Sequence, residues 1–216
     1  MSRVAYRVYP KPIQNLIELF SRLPGIGPRQ ASRFAFFILK EKNHFIPELI
    51  AALQELDASV GICSDCFRTM ERDGKDAEKC SFCRDPRRDR TEIAVMEKES
   101  DMQNMESTGA YHGLYHILGG IISPMDTESP KKIRLKELYE RIEAMLTEKE
   151  KCEVILATNP TTEGDTTALY IERILLPLKE KYSGLTLSRL GRGLSLGAEL
   201  EYADEITLKN ALTNRK

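Results

Sequence analysis

Four of the five cysteines, Cys63, Cys66, Cys80 and Cys83, stand as two C-x-x-C pairs with thirteen residues between them. Each pair sets two thiolates side by side, and two pairs close a tetrahedron around one metal ion. An all-sulfur, soft ligand set favours zinc. Four protein ligands leave no open position for water, so such a zinc is structural, one per chain, and not catalytic. The competing arrangement is a pair of disulfides, which a reducing compartment disfavours.

The opening stretch MSRVAYRVYP lacks the long apolar core of a secretory leader. No run of about 18 apolar residues occurs, so no transmembrane helix is expected. The chain therefore reads as cytoplasmic. Cys152, the fifth cysteine, adjoins the apolar run Val154 to Ala157 and reads as a thiol near the core. With 41% hydrophobic residues, the 216 positions can build one ordinary domain or two small ones. A net charge of −1 excludes a generally basic nucleic-acid coat. Any DNA contact must come from local positive patches, weak for one subunit and sensitive to salt.

One such patch follows the turn in LPGIGPRQASR, Leu23 to Arg33. Apolar helical patterns flank it, Ile13 to Leu23 before and Ala31 to Leu39 after. Gly25 and Gly27 have no side chain to obstruct a bulky ligand and can take positive φ. Their N–H groups, beside the start of the next helix, suit a phosphate. Arg29 and Arg33 are four apart and share one helix face. Together these residues would grip a nucleic-acid backbone without reading bases. The pattern looks like a helix-hairpin-helix DNA-binding motif; the plainer alternative is a helix–helix turn with glycine as C-cap. A second patch, Arg84, Arg87, Arg88 and Arg90, either lines a DNA path or forms a solvated, ion-paired face.

Up to about residue 60 the pattern is helical, with Ile46, Leu49, Ile50, Leu53 and Leu56 in a stripe of 3,4 spacing. The knuckle occupies about 61 to 85, and DPRRDR is a polar connector. From Thr91 the pattern becomes α/β. EIAVME is a buried-strand candidate ending in Glu97, and Asp101 to Ser107 reads as a helix. Leu114, Ile117, Leu118, Ile121 and Ile122 form an apolar run broken by glycines. DTESPKK is a loop and Ile133 to Leu146 an amphipathic helix. EVILAT is the clearest buried strand, NPTTEGD its loop, Thr166 to Lys179 a helix, and Leu185 to Leu190 a further strand. Alternating strands and helices predict a mostly parallel sheet.

In such sheets ligand chemistry sits beyond the carboxyl ends of the strands. Glu97 ends one strand; Asn159, Thr161, Glu163 and Asp165 follow another. This resembles a Toprim domain, in which a glutamate ends the first strand and a later strand leads into D-x-D, often DPDREGE. Glu97 matches the glutamate, but Asn159 and Thr161 stand where the two aspartates belong. Magnesium requires several hard anionic oxygens. Glu97, Glu163 and Asp165 can supply at most a weak ion site, which argues against catalysis.

LPGIGP, CRDPRRD, GLYHILGGIISPMD, ATNPTTEGD with TALY after it, and LEYADEITL (Leu200 to Leu208) occur in this order and cover nearly the whole chain. They resemble the RecR family of bacterial recombination proteins. The resemblance implies a non-enzymatic mediator that works with RecO and RecF to load RecA onto single-stranded DNA gaps coated by single-strand-binding protein. It implies ring-like homo-oligomers, dimers to tetramers, that encircle DNA. The family's basic hairpin residues map onto Arg29, in place of the usual Lys, and Arg33. Its acidic partner-contact residue maps onto Glu163, and Asp165 beside it is expected to share that partner-binding role. The insert Phe67 to Lys79 is about five residues longer than usual, and the N-terminus is somewhat extended.

The expected architecture is α/β: a helical hairpin region over 1–60, a small zinc knuckle and basic connector over 61–90, and a Toprim-like mostly parallel sheet with flanking helices over 91–190. A C-terminal segment over 191–216 makes an oligomer contact. His112 and His116, four apart, read as packing or hydrogen-bonding groups, and GRGLSLG (Gly191 to Gly197) as a turn or subunit contact. Glu163 and Asp165 also suit a helix N-terminus through the dipole. The leading function is a DNA- and partner-binding clamp with no catalytic residue. The rivals are a metal-dependent Toprim nuclease and a zinc-stabilised scaffold that never touches DNA.

Overall fold

Alternation along one strand organises the larger part of the molecule. In β3 (Asp89–Met96), Ile93 and Val95 turn to one face while Ala94 and Met96 turn to the other, all buried. A strand apolar on both sides must be covered on both sides. β3 pairs in parallel with β4 (Gly113–Ile117) and β5 (Cys152–Leu156), and β5 pairs in parallel with β6 (Leu185–Arg189), giving the order β4-β3-β5-β6. The computed structural model describes residues 9–72, 78–194, 197, 199–213 and 215.

One face is covered by α6 (Leu135–Lys149) and α7 (Thr162–Lys181). Leu138, Ile142, Leu146, Ile171, Leu175 and Leu178 pack there on Ile93, Val95 and Val154. The other face is covered by α5 (Glu99–Ser107), through Met102, and by the four cysteines themselves. Their segment holds a two-stranded ribbon, β1 (Val60–Ile62) with β2 (Thr69–Glu71), and one turn of helix, α4 (Ser81–Arg84). The fold is thus the expected Toprim-like α/β sheet with flanking helices.

The chain divides into two compact units, Met1–Val60 and Gly61–Lys216. The first holds α1 (Lys11–Phe20), α2 (Pro28–Lys40) and α3 (Phe45–Ser59). Small residues Ala31 and Ala35 let α2 approach α1 closely over Ile17. The α3 stripe forms as a helix but does not become core: Ile50, Leu53 and Leu56 are all more than half exposed. After β6 come a short 3-10 turn at Leu200–Tyr202 and α8 (Glu205–Thr213), which buries no residue.

Some boundaries differ from expectation. The glycine-broken apolar run opens as strand β4, buried at all five positions, because its residues pair with β3. α7 begins at Thr162, so Glu163 and Asp165 lie in its first turn and not in a loop. Thr161 causes this by capping the helix, its Oγ1 accepting a hydrogen bond from Gly164 N at 3.0 Å. Part of the knuckle insert (73–77), two residues of GRGLSLG (195–196) and most of the extended N-terminus (1–8) lie outside the described residues.

His116, on β4, is fully buried. Its Nε2 lies 3.0 Å from the Arg134 carbonyl oxygen, while Nδ1 has no partner among the described residues. Burial, with Arg141 adding repulsion, pushes its pKa down to about 3 from 6.5. The folded chain therefore keeps it neutral while the unfolded chain takes up a proton below about pH 6.5. Its stabilising contribution is complete above that pH and shrinks as pH falls toward about 3, by up to about 1.4 kcal/mol per pH unit. Urea unfolding of wild type and His116→Gln at descending pH checks this. The wild type should lose stability more steeply, since every other group titrates in both proteins.

Candidate functional site

The cysteine knuckle is built by backbone turns that aim sulfur inward. Phe67 N donates to the Cys63 carbonyl at 3.1 Å, Cys63 N to the Arg68 carbonyl at 2.9 Å, and Arg84 N to the Cys80 carbonyl at 3.1 Å. Phe67 takes φ +62°, a left-handed conformation uncommon outside glycine. Its ring stacks edge-on against His116 at 5.3 Å, with the Arg134 guanidinium 5.0 Å from its centre. The four sulfurs lie within 4.8 Å of one another, all buried, with Cys66 and Cys80 3.5 Å apart. A tetrahedral ion with metal–sulfur bonds of about 2.3 Å needs sulfurs roughly 3.8 Å apart, so the cluster fits a metal. It forms no disulfide. Hydrogen bonds from the other three thiols hold Cys63 well below the ordinary thiol range, while donation to Cys63 raises Cys66. A cation resolves this competition by taking all four as thiolates.

Beyond the carboxyl end of β3, Glu97 is 7% exposed and accepts two hydrogen bonds from one residue: Asn159 N at 2.9 Å and Asn159 Nδ2 at 2.6 Å. The same Nδ2 lies 3.3 Å from Asp101 Oδ2. An amide nitrogen thus bridges two carboxylates beyond the carboxyl end of β3. The turn is tight: a Cβ on Gly164 would come within 2.0 Å of the Asn159 carbonyl oxygen and 2.9 Å of Glu97 Oε1.

The structure regroups the acidic residues. Asp165 does not join Glu97. It pairs with Arg192 and lies 3.6 Å from Arg189, and the Arg192 guanidinium holds its carboxyl below the usual range. Glu163 is half-buried in the first turn of α7, with no ion-pair partner among the described residues. Asp101 was missed as a member of this cluster, although its place at the start of the helix after Glu97 is visible in the sequence. The expected weak site of Glu97, Glu163 and Asp165 is not assembled. Among the described residues the only candidate metal group found is the cysteine one, and His112 and His116 form no pair.

In the hairpin, Gly25 has φ +76°, which explains its identity, whereas Gly27 is extended at φ −80°. A Cβ at either would meet nothing within 4 Å, so space is open above both. Pro28 starts α2, and no side chain caps it. Arg29 and Arg33 are exposed and have no ion-pair partner among the described residues. Of the second basic patch, three members are engaged. Arg87 makes a two-pronged pair with Asp85, at 3.0 and 2.9 Å. Arg88 bonds Glu106 and the Gly113 carbonyl and lies over the Phe82 ring at 4.4 Å. Arg90 donates to the Cys83 carbonyl at 3.1 Å.

The helix-hairpin-helix model of RecR matches residues 13–56, a Toprim domain model matches 91–190, and the RecR C-terminal model matches 193–216. The recombination protein RecR of Cutibacterium acnes is 44% identical over 208 residues, 96% of each chain. That of Streptococcus pneumoniae is 44% identical over 212 residues, 96% of this chain and 98% of the relative. The chain belongs to the RecR family. A role in DNA recombination and repair follows, carried by a helix-hairpin-helix, a four-cysteine metal-binding site and a Toprim domain. No helix among the described residues is long and apolar enough to cross a membrane.

Because the cysteine cluster is also core, removing one ligand should remove metal and packing together. Cys80→Ser is expected to lose its bound metal and on the order of 4 kcal/mol or more of stability. Elemental analysis and thermal unfolding check both. A variant with wild-type melting and no metal would show that the thiols alone suffice.

Proposed function

We propose that the chain is a recombination mediator that performs no chemistry of its own. In this reading residues 1–60 bind DNA without sequence preference, through Arg29, Arg33 and the open backbone at Gly25 and Gly27. The knuckle and connector, 61–90, hold one structural zinc on Cys63, Cys66, Cys80 and Cys83. Soft thiolates in a closed shell favour that metal. The Toprim domain, 91–190, offers Glu163 to a partner, while Asp165 fixes the strand end through its arginines. Segment 191–216 joins subunits into ring-like dimers or tetramers, and the exposed apolar residues Leu200, Tyr202, Ile206 and Leu212 support this. The protein acts in the cytoplasm with RecO and RecF to load RecA at single-stranded gaps.

The observation that carries the non-enzymatic reading is Asn159. Metal-assisted phosphoryl chemistry needs carboxylates arranged around a cation. Here an amide donates to Glu97 at 2.6 Å and lies 3.3 Å from Asp101, at the centre of the site. Incubation of labelled DNA with Mg²⁺ or Mn²⁺ should therefore give no nicking or cleavage above background. Robust cleavage that disappears in Glu97→Gln would establish the nuclease instead.

DNA retention should depend on the hairpin. Arg29→Ala with Arg33→Ala is expected to abolish most binding, equally for unrelated sequences, with helix content and oligomeric state unchanged. Each lost phosphate contact lowers the log–log salt slope by about 0.9 on duplex DNA. Fluorescence anisotropy at several salt concentrations measures both. Unchanged affinity and slope would reduce the hairpin to a turn and return the scaffold reading.

A further inference from the structure

Arg84 is the one member of the second basic patch that pairs with no described side chain, and it is not isolated. It lines a cavity of about 460 Å³ in the knuckle, together with Arg68, Arg72 and Ser81. Cys80 and Met70 also line it, and among the described residues the one carboxylate on the wall is Glu71. Arg68 is ion-paired with Glu99, so the net positive character of the hollow comes from Arg72 and Arg84, set against Glu71 among the described residues.

The three arginines are not equivalent. Arg68 is structural: its guanidinium lies 4.6 Å from the centre of the Phe82 ring. Its Nε forms an ion pair with Glu99 Oε1 at 3.5 Å and is buried with no hydrogen-bond partner among the described residues. Arg72, just after β2, and Arg84, at the end of α4, are exposed and make no side-chain hydrogen bond or ion pair among the described residues. Guanidinium matches the paired oxygens of a phosphodiester. Like charges facing one hollow are stabilised when an anion enters it.

We propose that the groove of Arg68, Arg72 and Arg84 on the cysteine knuckle is a second phosphate-binding site, which takes the backbone of DNA. The proposal rests on the DNA-binding reading above and extends it to a different unit of the chain. A chain of net charge −1 needs such local sites, because DNA affinity at physiological salt takes several phosphate contacts. The competing role for these arginines is to offset the charge of four thiolates around a divalent ion. That role requires no concavity and predicts a different response to mutation.

Three full-length proteins separate the outcomes: wild type, Arg72→Gln with Arg84→Gln, and Arg29→Ala with Arg33→Ala. Arg68 is left in place because it packs. Each is titrated with fluorescein-labelled single-stranded and duplex oligonucleotides over a range of salt, with bound metal and melting temperature measured in parallel. The knuckle variant should bind several-fold more weakly, with a salt slope lower by about 1 to 2 on duplex DNA, at unchanged metal content and melting temperature. The loss should be the same for unrelated sequences. Wild-type affinity and slope in the knuckle variant, beside a loss in the hairpin variant, would overturn the groove and keep the hairpin. Metal loss accompanying the DNA defect would assign the arginines to the thiolate cluster and overturn it too. Salt-insensitive or absent binding by wild type would remove the DNA reading, and the groove with it.

Discussion

The four-sulfur cluster is the constraint on which most of this structure depends. A parallel sheet needs cover on both faces, and here only one face receives two long helices. The opposite face has α5, nine residues long, and the cysteine knuckle. Cys63, Cys66, Cys80 and Cys83 are each at most 4% exposed and pack with Ala94, Met96, Tyr115 and Ile117. The knuckle also extends the sheet edge, since Ile117 N donates to the Cys66 carbonyl at 2.9 Å. From α6, Arg141 reaches both the Asp65 and Tyr115 carbonyls, at 2.7 and 2.6 Å. Binding energy at the metal is therefore folding energy for the sheet as well as for a loop.

At the carboxyl end of that sheet, a buried glutamate poses an electrostatic problem. In this structure two hydrogen-bond donors of Asn159, its backbone N and its Nδ2, answer it. Neutral donors satisfy the carboxylate without requiring a second charge in a low-dielectric place. The cost falls on geometry. The Asn159 carbonyl lies so close to Gly164 that no side chain fits there, and Thr161 must cap α7 immediately afterwards. The same tight turn sets Glu163 on the first helical turn. The Glu97–Asn159 contact thereby braces the first turn of α7, which carries Glu163.

How much of this was legible follows from range. β3 and β5 could be read from EIAVME and EVILAT because strands buried on both faces are contiguous apolar runs. The cysteine site could be read because ligand spacing is local. β4 was obscured by Gly113 and two histidines, and became strand through its pairing with β3. The start of α7 was hidden because Thr-Glu-Gly-Asp looks like a loop until Gly164 is seen against Asn159. Glu97 and Asn159 are 62 residues apart, and no local pattern announces a hydrogen bond between them. The α3 stripe announced a helix, but periodicity alone does not say what covers an apolar face.

The arginines make the same point in charge. In the sequence, Arg84, Arg87, Arg88 and Arg90 are one patch. In the fold they serve different ends: Arg87 closes on its own turn, Arg88 and Arg68 both contact Phe82, and Arg90 steadies the second cysteine turn. Of the four, only Arg84 stays unengaged among the described residues, and it lines a hollow with Arg72 and Arg68. Positive charge that is already paired contributes little to attracting a polyanion, because its field is cancelled locally. In a chain of net charge −1, the arginines without a partner among the described residues contribute most to local positive potential. By that measure Arg29 and Arg33 belong with Arg72 and Arg84, although these pairs lie on different units and neither is the densest basic run in the sequence.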